Sequence, residues 1–425
     1  MKKVFLMALA ILFVVTTFNT ISSKALAQGA IVSAGGPVHR GMGGASTAAP
    51  ISALGALYWN PATISGLEHS ELEVGVDVLS TDHRVTSSFG GSSGETVADP
   101  GTFPVPNFAW VHRLEDSRFT LGLGVNAVAG FKTNLQADPT NPVLAPQPFG
   151  LGRVSSEATF LQISPVLSMA VSERISFAAG PIITSAQVGI EPFVFDSANA
   201  DGTYSSGRST KYQWGGGVQA GVYFIPSEDW RLGASIKSPA WMDTFEYFGQ
   251  DENGLPRKMT AEIDLPMIVS LGAGYAGREN WLFAADARFI DYKNADGFGD
   301  DAVYDATGAL GGLDWSSVFS LALGAQRQLN ERVFLRAGYN YNTNPIKDSE
   351  TFFNMASPLI YEHMLSVGGS YNFNEKLAVS AAYSHYIENS RSGPFVLPGI
   401  GAVPGSSVTT EMSADFLSFG IVMQQ

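Results

Sequence analysis

The stretch Arg332-Val-Phe-Leu-Arg-Ala-Gly-Tyr-Asn-Tyr-Asn342 repeats every two residues. Val333, Leu335, Ala337, Tyr339 and Tyr341 share one parity, and Arg332, Phe334, Arg336, Gly338, Asn340 and Asn342 the other. Between Leu377 and Tyr383 the same period sets Leu377, Val379, Ala381 and Tyr383 against Ala378, Ser380 and Ala382. Successive strand side chains point to opposite faces, so each segment has a greasy face and a small or polar one.

A soluble sandwich also alternates, so the connections decide the class. Glu115-Asp116, 226–229, 277–280, Asn330 and Asn374-Glu375 are short and polar. Between them stand long stretches rich in Gly, Pro, Asn, Asp and Ser, at 81–103, 130–156, 190–210, 294–314, 343–360 and 389–409. Tight turns at one end and long loops at the other are how a transmembrane antiparallel β-barrel is punctuated. The pattern predicts an all-β fold of about fourteen strands, an even number as single-chain barrels require. The spans are 71–80, 104–114, 117–129, 157–171, 173–189, 211–225, 229–247, 257–276, 280–293, 315–328, 331–342, 361–373, 375–388 and 410–423. Leu265-Pro266 falls inside the eighth, where Met259, Ile263, Leu265, Val269, Leu271 and Tyr275 keep one parity apolar through the proline. One long bent strand is expected there, at the loss of a ladder hydrogen bond.

Composition agrees. Met1-Lys2-Lys3, the apolar run from Val4 to Val15, and Ala25-Leu26-Ala27 predict a cleaved secretory signal peptide over 1–27. Removing those 27 residues from 425 leaves 398, with 22 basic against 39 acidic residues, a net charge of −17. Nucleic acid is excluded as a partner, because it attracts cationic surfaces. Cysteine is absent, which removes disulfides and thiolate chemistry. Only 15% of residues are charged, so much of the outer surface is expected to face lipid. Trp110, Tyr212, Trp214, Trp230, Trp281, Tyr339, Tyr341 and Tyr371 sit near strand ends, as interfacial girdles require.

Residues 28–70 lack the alternation and are rich in Gly, Ala and Ser. Short helices are expected over 53–56 and 60–64, with Asn60 capping the second and Pro61 at its first position. The segment reads as a plug or cap, the hatch of a barrel that spans 71–425.

The motifs that could carry catalysis fail on context. Gly90-Gly-Ser-Ser-Gly94 lies in a loop signal without the strand and helix that a nucleophile elbow needs. Ser384 and His385 are adjacent, so on a strand they face opposite ways. No His pair has metal-ligand spacing. The sequence therefore predicts no enzyme, no metal and no cofactor. On expected lumen positions stand Lys237, Lys258, Glu262, Asp264, Asp286, Arg288, Arg332 and Arg336. A cation beside an apolar lumen residue could hold a carboxylate whose tail is buried nearby. Arg336 beside Phe334 is the first candidate and Lys237 the second.

From Gly41-Met-Gly-Gly44 to Tyr58-Trp-Asn60-Pro61-Ala62 the chain resembles the FadL/TodX family of outer-membrane channels for hydrophobic compounds. Leu335-Arg-Ala-Gly-Tyr339 with Asn344-Pro345, Leu265-Pro266, and His363 followed by Leu365-Ser-Val-Gly-Gly-Ser-Tyr371 extend the likeness over the mature chain. The resemblance implies a fourteen-stranded barrel with an N-terminal hatch in its lumen, Asn60, Pro61 and Ala62 belonging to that hatch. It implies passive uptake of hydrophobic compounds, long-chain fatty acids first and aromatic or alkane hydrocarbons as the alternative. A general porin or structural barrel is the competing class. It also implies sideways exit where the third strand kinks against the hatch, with Gly122, Gly124, Asn126 and Gly130 as the kink. The implied setting is the bacterial outer membrane, with lipid and lipopolysaccharide around a monomer. Two departures stand out: Ala53 lies where many members carry an acid, and the chain ends Val422-Met423-Gln424-Gln425 without a terminal aromatic.

Overall fold

In a bilayer no water satisfies exposed backbone, so spanning strands must be paired on both edges. The structure, a computed structural model that describes residues 28–208 and 211–425, meets this requirement with fourteen antiparallel strands. They are β1 (Glu71–Phe89), β2 (Phe103–Arg113), β3 (Phe119–Leu135), β4 (Val154–Ala170), β5 (Ile175–Glu191), β6 (Gln213–Phe224) and β7 (Trp230–Lys237). Then follow β8 (Ile268–Arg278), β9 (Trp281–Ile290), β10 (Val318–Gln328), β11 (Val333–Asn342), β12 (His363–Asn374), β13 (Leu377–Gly393) and β14 (Ser407–Gln424). Each strand pairs with its neighbour, and β14 returns to β1 in register from Glu71↔Gln424 to Ser88↔Ser407, which closes the barrel. The expected signal peptide lies outside the described residues.

The sequence period becomes two surfaces. On β14, Leu417, Phe419, Ile421 and Met423 face outward and are exposed to the bilayer, while Ser418 and Val422 are buried within. The tight turns use residues suited to them: Asp116 and Asn280 adopt φ of 50° and 63°. Asn and Asp tolerate that left-handed region better than other residues with a side chain.

Strands seven and eight differ from expectation. β7 stops at Lys237, before Ser238-Pro239, and β8 begins only at Ile268. Trp241–Met242 pairs briefly with β6, and Phe245–Gln250 forms a hairpin with Pro256–Ala261 outside the barrel sheet. Leu265 makes a single bridge to Ala240, so Leu265-Pro266 lies in the loop and not in a bent strand. The alternation continued because the hairpin has its own buried face: Phe245, Tyr247 and Met259 are all buried. Lys258, Glu262 and Asp264 consequently leave the lumen for the long-loop end, and Lys258 binds Glu246 at 2.5 Å. Arg332 sits exposed in the turn before β11.

Residues 28–70 fill the barrel interior. Helix α1 (Gly36–Arg40) and helix α2 (Ala53–Trp59) are buried throughout. A 3-10 turn (Pro61–Gly66) follows, capped by Asn60, whose Oδ1 accepts from the Ala62 amide at 3.1 Å. The Asn60 side chain also donates to the carbonyls of Thr47 (2.8 Å) and Val222 (3.0 Å), tying the hatch to β6. Close docking needs small residues on the wall. At Gly324 and Gly338 an added Cβ would meet Met42 and Gly43 of the hatch well inside van der Waals contact.

Candidate functional site

Buried charge holds the plug. Asp286 Oδ2 on β9 accepts from the amides of Ser46 (2.8 Å) and Thr47 (2.9 Å) and from Thr47 Oγ1 (2.8 Å). Arg288 binds the same oxygen at 2.5 Å, donates to the Gly44 carbonyl at 2.6 Å, and lies 3.8 Å from the Trp59 ring centre. Arg40 of α1 pairs with Asp77 of β1 at 2.7 Å. Glu71 and Glu73 of β1 accept from the amides of Ala53 (3.1 Å) and Leu54 (2.8 Å), at the N-terminus of α2, where the helix dipole favours an acid. Both acids reach the start of α2 from the barrel wall. His39 is fully buried, with Nε2 donating to the Ala49 carbonyl at 2.9 Å; burial lowers its pKa to about 4 and keeps it neutral.

The wall itself is incomplete at one place. β2 pairs with β3 only from Asn107↔Asn126 to Arg113↔Thr120. Above that, residues 103–106 keep β1 as partner, and β4 is the one barrel strand that stays paired to β3. Two features cause the parting. Pro104 and Pro106 carry no N–H for a ladder. Val128 is bulged between Ala127↔Leu161 and Ala129↔Phe160, which bends β3 away.

The hatch occupies the gap. The Val32 amide donates to the Val128 carbonyl (2.9 Å), and the Gly130 amide donates to the Ala30 carbonyl (3.1 Å). Tyr292, in the loop after β9, accepts from the Ile31 amide (3.0 Å) and donates to the Gln28 carbonyl (3.1 Å). Tyr58 donates to the Val32 carbonyl at 2.7 Å. A cavity of about 90 Å³ lies at the gap, lined by the exposed Pro104, Pro106 and Thr159 and by the buried Leu79, Tyr386 and Phe416.

A second, larger cavity of about 460 Å³ lies among the long loops. Its walls include Phe160, Phe195, Phe298, Leu310, Leu313, Phe352, Phe353 and Met355. Among the described residues its charged members are Glu191, Glu262, Asp296 and Asp300, and neither lysine nor arginine lines it. Glu191 is matched from the rim by Arg153 at 3.1 Å and Arg208 at 2.8 Å.

The predicted cations lie elsewhere. Arg336 and Phe334 line an open vestibule of about 670 Å³ at the tight-turn end, beneath the hatch. Arg336 donates to Gln326 at 2.7 Å and to Ser370 at 2.5 Å, bracing β10, β11 and β12. Lys237 is buried at the end of β7, 5.1 Å from the Tyr58 ring centre, beside Ile31 and Val128. The structure therefore does not bring Arg336, Phe334 and Lys237 together. Gly122 and Gly124 remain in register with β2 and make room for the hatch: a Cβ at Gly122 would come within 2.7 Å of Leu57. Asn126 is the last residue of β3 paired to β2, and Gly130 is tied to Ala30. Pro104, Pro106 and the bulged Val128 were missed; the Pro-x-Pro within a strand was the available signal.

Solved structures share this architecture. A Pseudomonas aeruginosa FadL homologue superposes with a TM-score of 0.74 at 16% identity, covering 93% of this chain and 99% of its own. The P. putida toluene transporter TodX gives 0.68 at 18% identity, covering 92% and 99%. The monoaromatic hydrocarbon channel CymD gives 0.63 at 16%, covering 92% and 98%. No curated protein matches the sequence. The model of one family, described as outer membrane protein transport protein (OMPP1/FadL/TodX), matches residues 16–420. With its closed barrel, buried hatch and matched span, the chain belongs to that outer-membrane transport family.

Proposed function

We propose that the protein takes up hydrophobic compounds passively across the outer membrane and releases them sideways through the gap between β2 and β3. One observation carries this reading. Apolar cavities lie both among the loops and at the gap in the wall, while the axial route is filled by the hatch. A greasy solute that is captured above and leaves through the wall never crosses the polar vestibule. Burying apolar area contributes roughly 25 cal/mol per Å², which supports capture without a fixed polar partner.

The cavity lining favours uncharged hydrocarbons over fatty acids. Glu262, Asp296 and Asp300 would meet an incoming carboxylate, and among the described residues no lining cation would offset them. Two carboxylates about 6 Å apart repel by ~3 kcal/mol at an effective dielectric of ~20. The fatty-acid alternative is supported by Lys237 alone, deeper in the barrel. Uptake of labelled toluene, an alkane and oleate by cells with and without the protein separates the readings. Toluene or alkane entering faster with the protein supports uptake; equal rates for all three solutes overturn it. Large steady conductance in planar bilayers would favour a porin.

A further inference from the structure

We propose that Phe131 is the partition between the loop cavity and the wall opening, and that its ring sets which captured solutes pass. The proposal rests on the uptake reading above. Among the described residues, Phe131 and Ala158 are the two that line both cavities. They face each other across the β3–β4 ladder, in register. Ala158 contributes only a methyl group, so the bulk at this junction is the phenyl ring.

The bulge at Val128 puts the ring there. Before it, Thr120 and Asn126 on even positions are buried in the lumen; after it, Thr133 and Leu135 on odd positions are buried instead. Lys132 now points outward, toward Glu157 at 3.4 Å. Without the extra residue Phe131 would face lipid, because a one-residue slip exchanges the faces of a strand. The backbone beside it is anchored by the Gly130 amide on Ala30, while the ring itself is only half-buried. A side chain on fixed backbone with free space around it can swing without unfolding anything. Rotamer changes of that kind are fast compared with the loop and hinge motions that otherwise gate transport.

A partition and a mere wall residue differ in kinetics. The full-length protein in liposomes is given labelled toluene and labelled pyrene over a concentration series. Heat-resistant migration of the barrel on gels confirms folding of each variant. Phe131→Ala is expected to raise the maximal rate for pyrene at least fivefold and to leave its half-saturating concentration within twofold. Phe131→Trp is expected to lower the maximal rate for both solutes. Phe195→Ala, in the loop cavity alone, is expected to raise half-saturation with little change in the maximum. If Phe131→Ala shifts half-saturation as Phe195→Ala does, with an unchanged maximum, the ring is only lining and the proposal falls. If the unaltered protein passes neither solute above protein-free liposomes, the uptake reading itself falls, and the proposal with it.

Discussion

Replacing Asp286 by alanine tests whether the plug is bolted or merely packed. Asp286 Oδ2 receives three hydrogen bonds from the hatch, from the Ser46 and Thr47 amides and the Thr47 hydroxyl. Hydrogen bonds to a charged group contribute about 1.5–3 kcal/mol each and are not additive. Removing the acid also strands Arg288, which among the described residues keeps the Gly44 carbonyl and the Trp59 face. Breaking a buried ion pair from one side costs roughly 3–5 kcal/mol. Taking ~3 kcal/mol as the part that crosses between wall and hatch, local opening should become about a hundredfold more frequent. Hydrogen exchange of the Ser46 and Thr47 amides reads this directly, and planar-bilayer recordings should show transient openings absent from the parent. Exchange that stays within threefold, with silent recordings, would mean that packing alone seats the hatch and that the charge accounting is mistaken.

Tyr292→Phe should release the segment sealing the wall gap, since the hydroxyl holds both Ile31 and Gln28; about 1 kcal/mol predicts roughly fivefold faster amide exchange at Ile31. Protonation of His39 should work against the seated hatch. His39 has a folded pKa of about 4, below the ordinary 6.5, so the released hatch binds a proton first and stability falls as pH drops from about 6.5 to about 4. His39 loses about 3 kcal/mol across that window, read as the difference between the parent and His39→Gln in how the frequency of channel openings changes from pH 7 to pH 4.5. Glu262→Gln combined with Asp296→Asn and Asp300→Asn should strengthen oleate binding about tenfold or more by titration, while toluene binding moves less than twofold. Arg336→Ala, on the far side of the hatch, should leave toluene capture within twofold in the same titration.

The barrel was legible because lipid imposes a two-residue period on every spanning strand and the connections alternate in length. The same period misled at 257–265: a hairpin with one buried face alternates as a membrane strand does, and Tyr247 and Met259 are as buried as wall residues. Hatch elements were readable from Asn60 and Pro61, since capping is local chemistry. What docks the hatch was not. Asp286 and Arg288 announced only charge in the lumen, and their partners lie some 240 residues away along the chain. The kink was placed on glycines because glycine is the usual signal. Here Gly122 and Gly124 yield space to Leu57, and the break falls on Val128, whose identity carries no such mark.

The seam between β1 and β14 has a consequence for how the molecule is made. Residue 70 leaves the hatch and Glu71 enters β1, which is zipped to β14 along its whole length. The cork therefore hangs from one lip of the joint between the first strand and the last. Whatever loads that joint also pulls on the tether of the cork, and a chain halted before β14 would leave two raw sheet edges, one of them carrying the hatch.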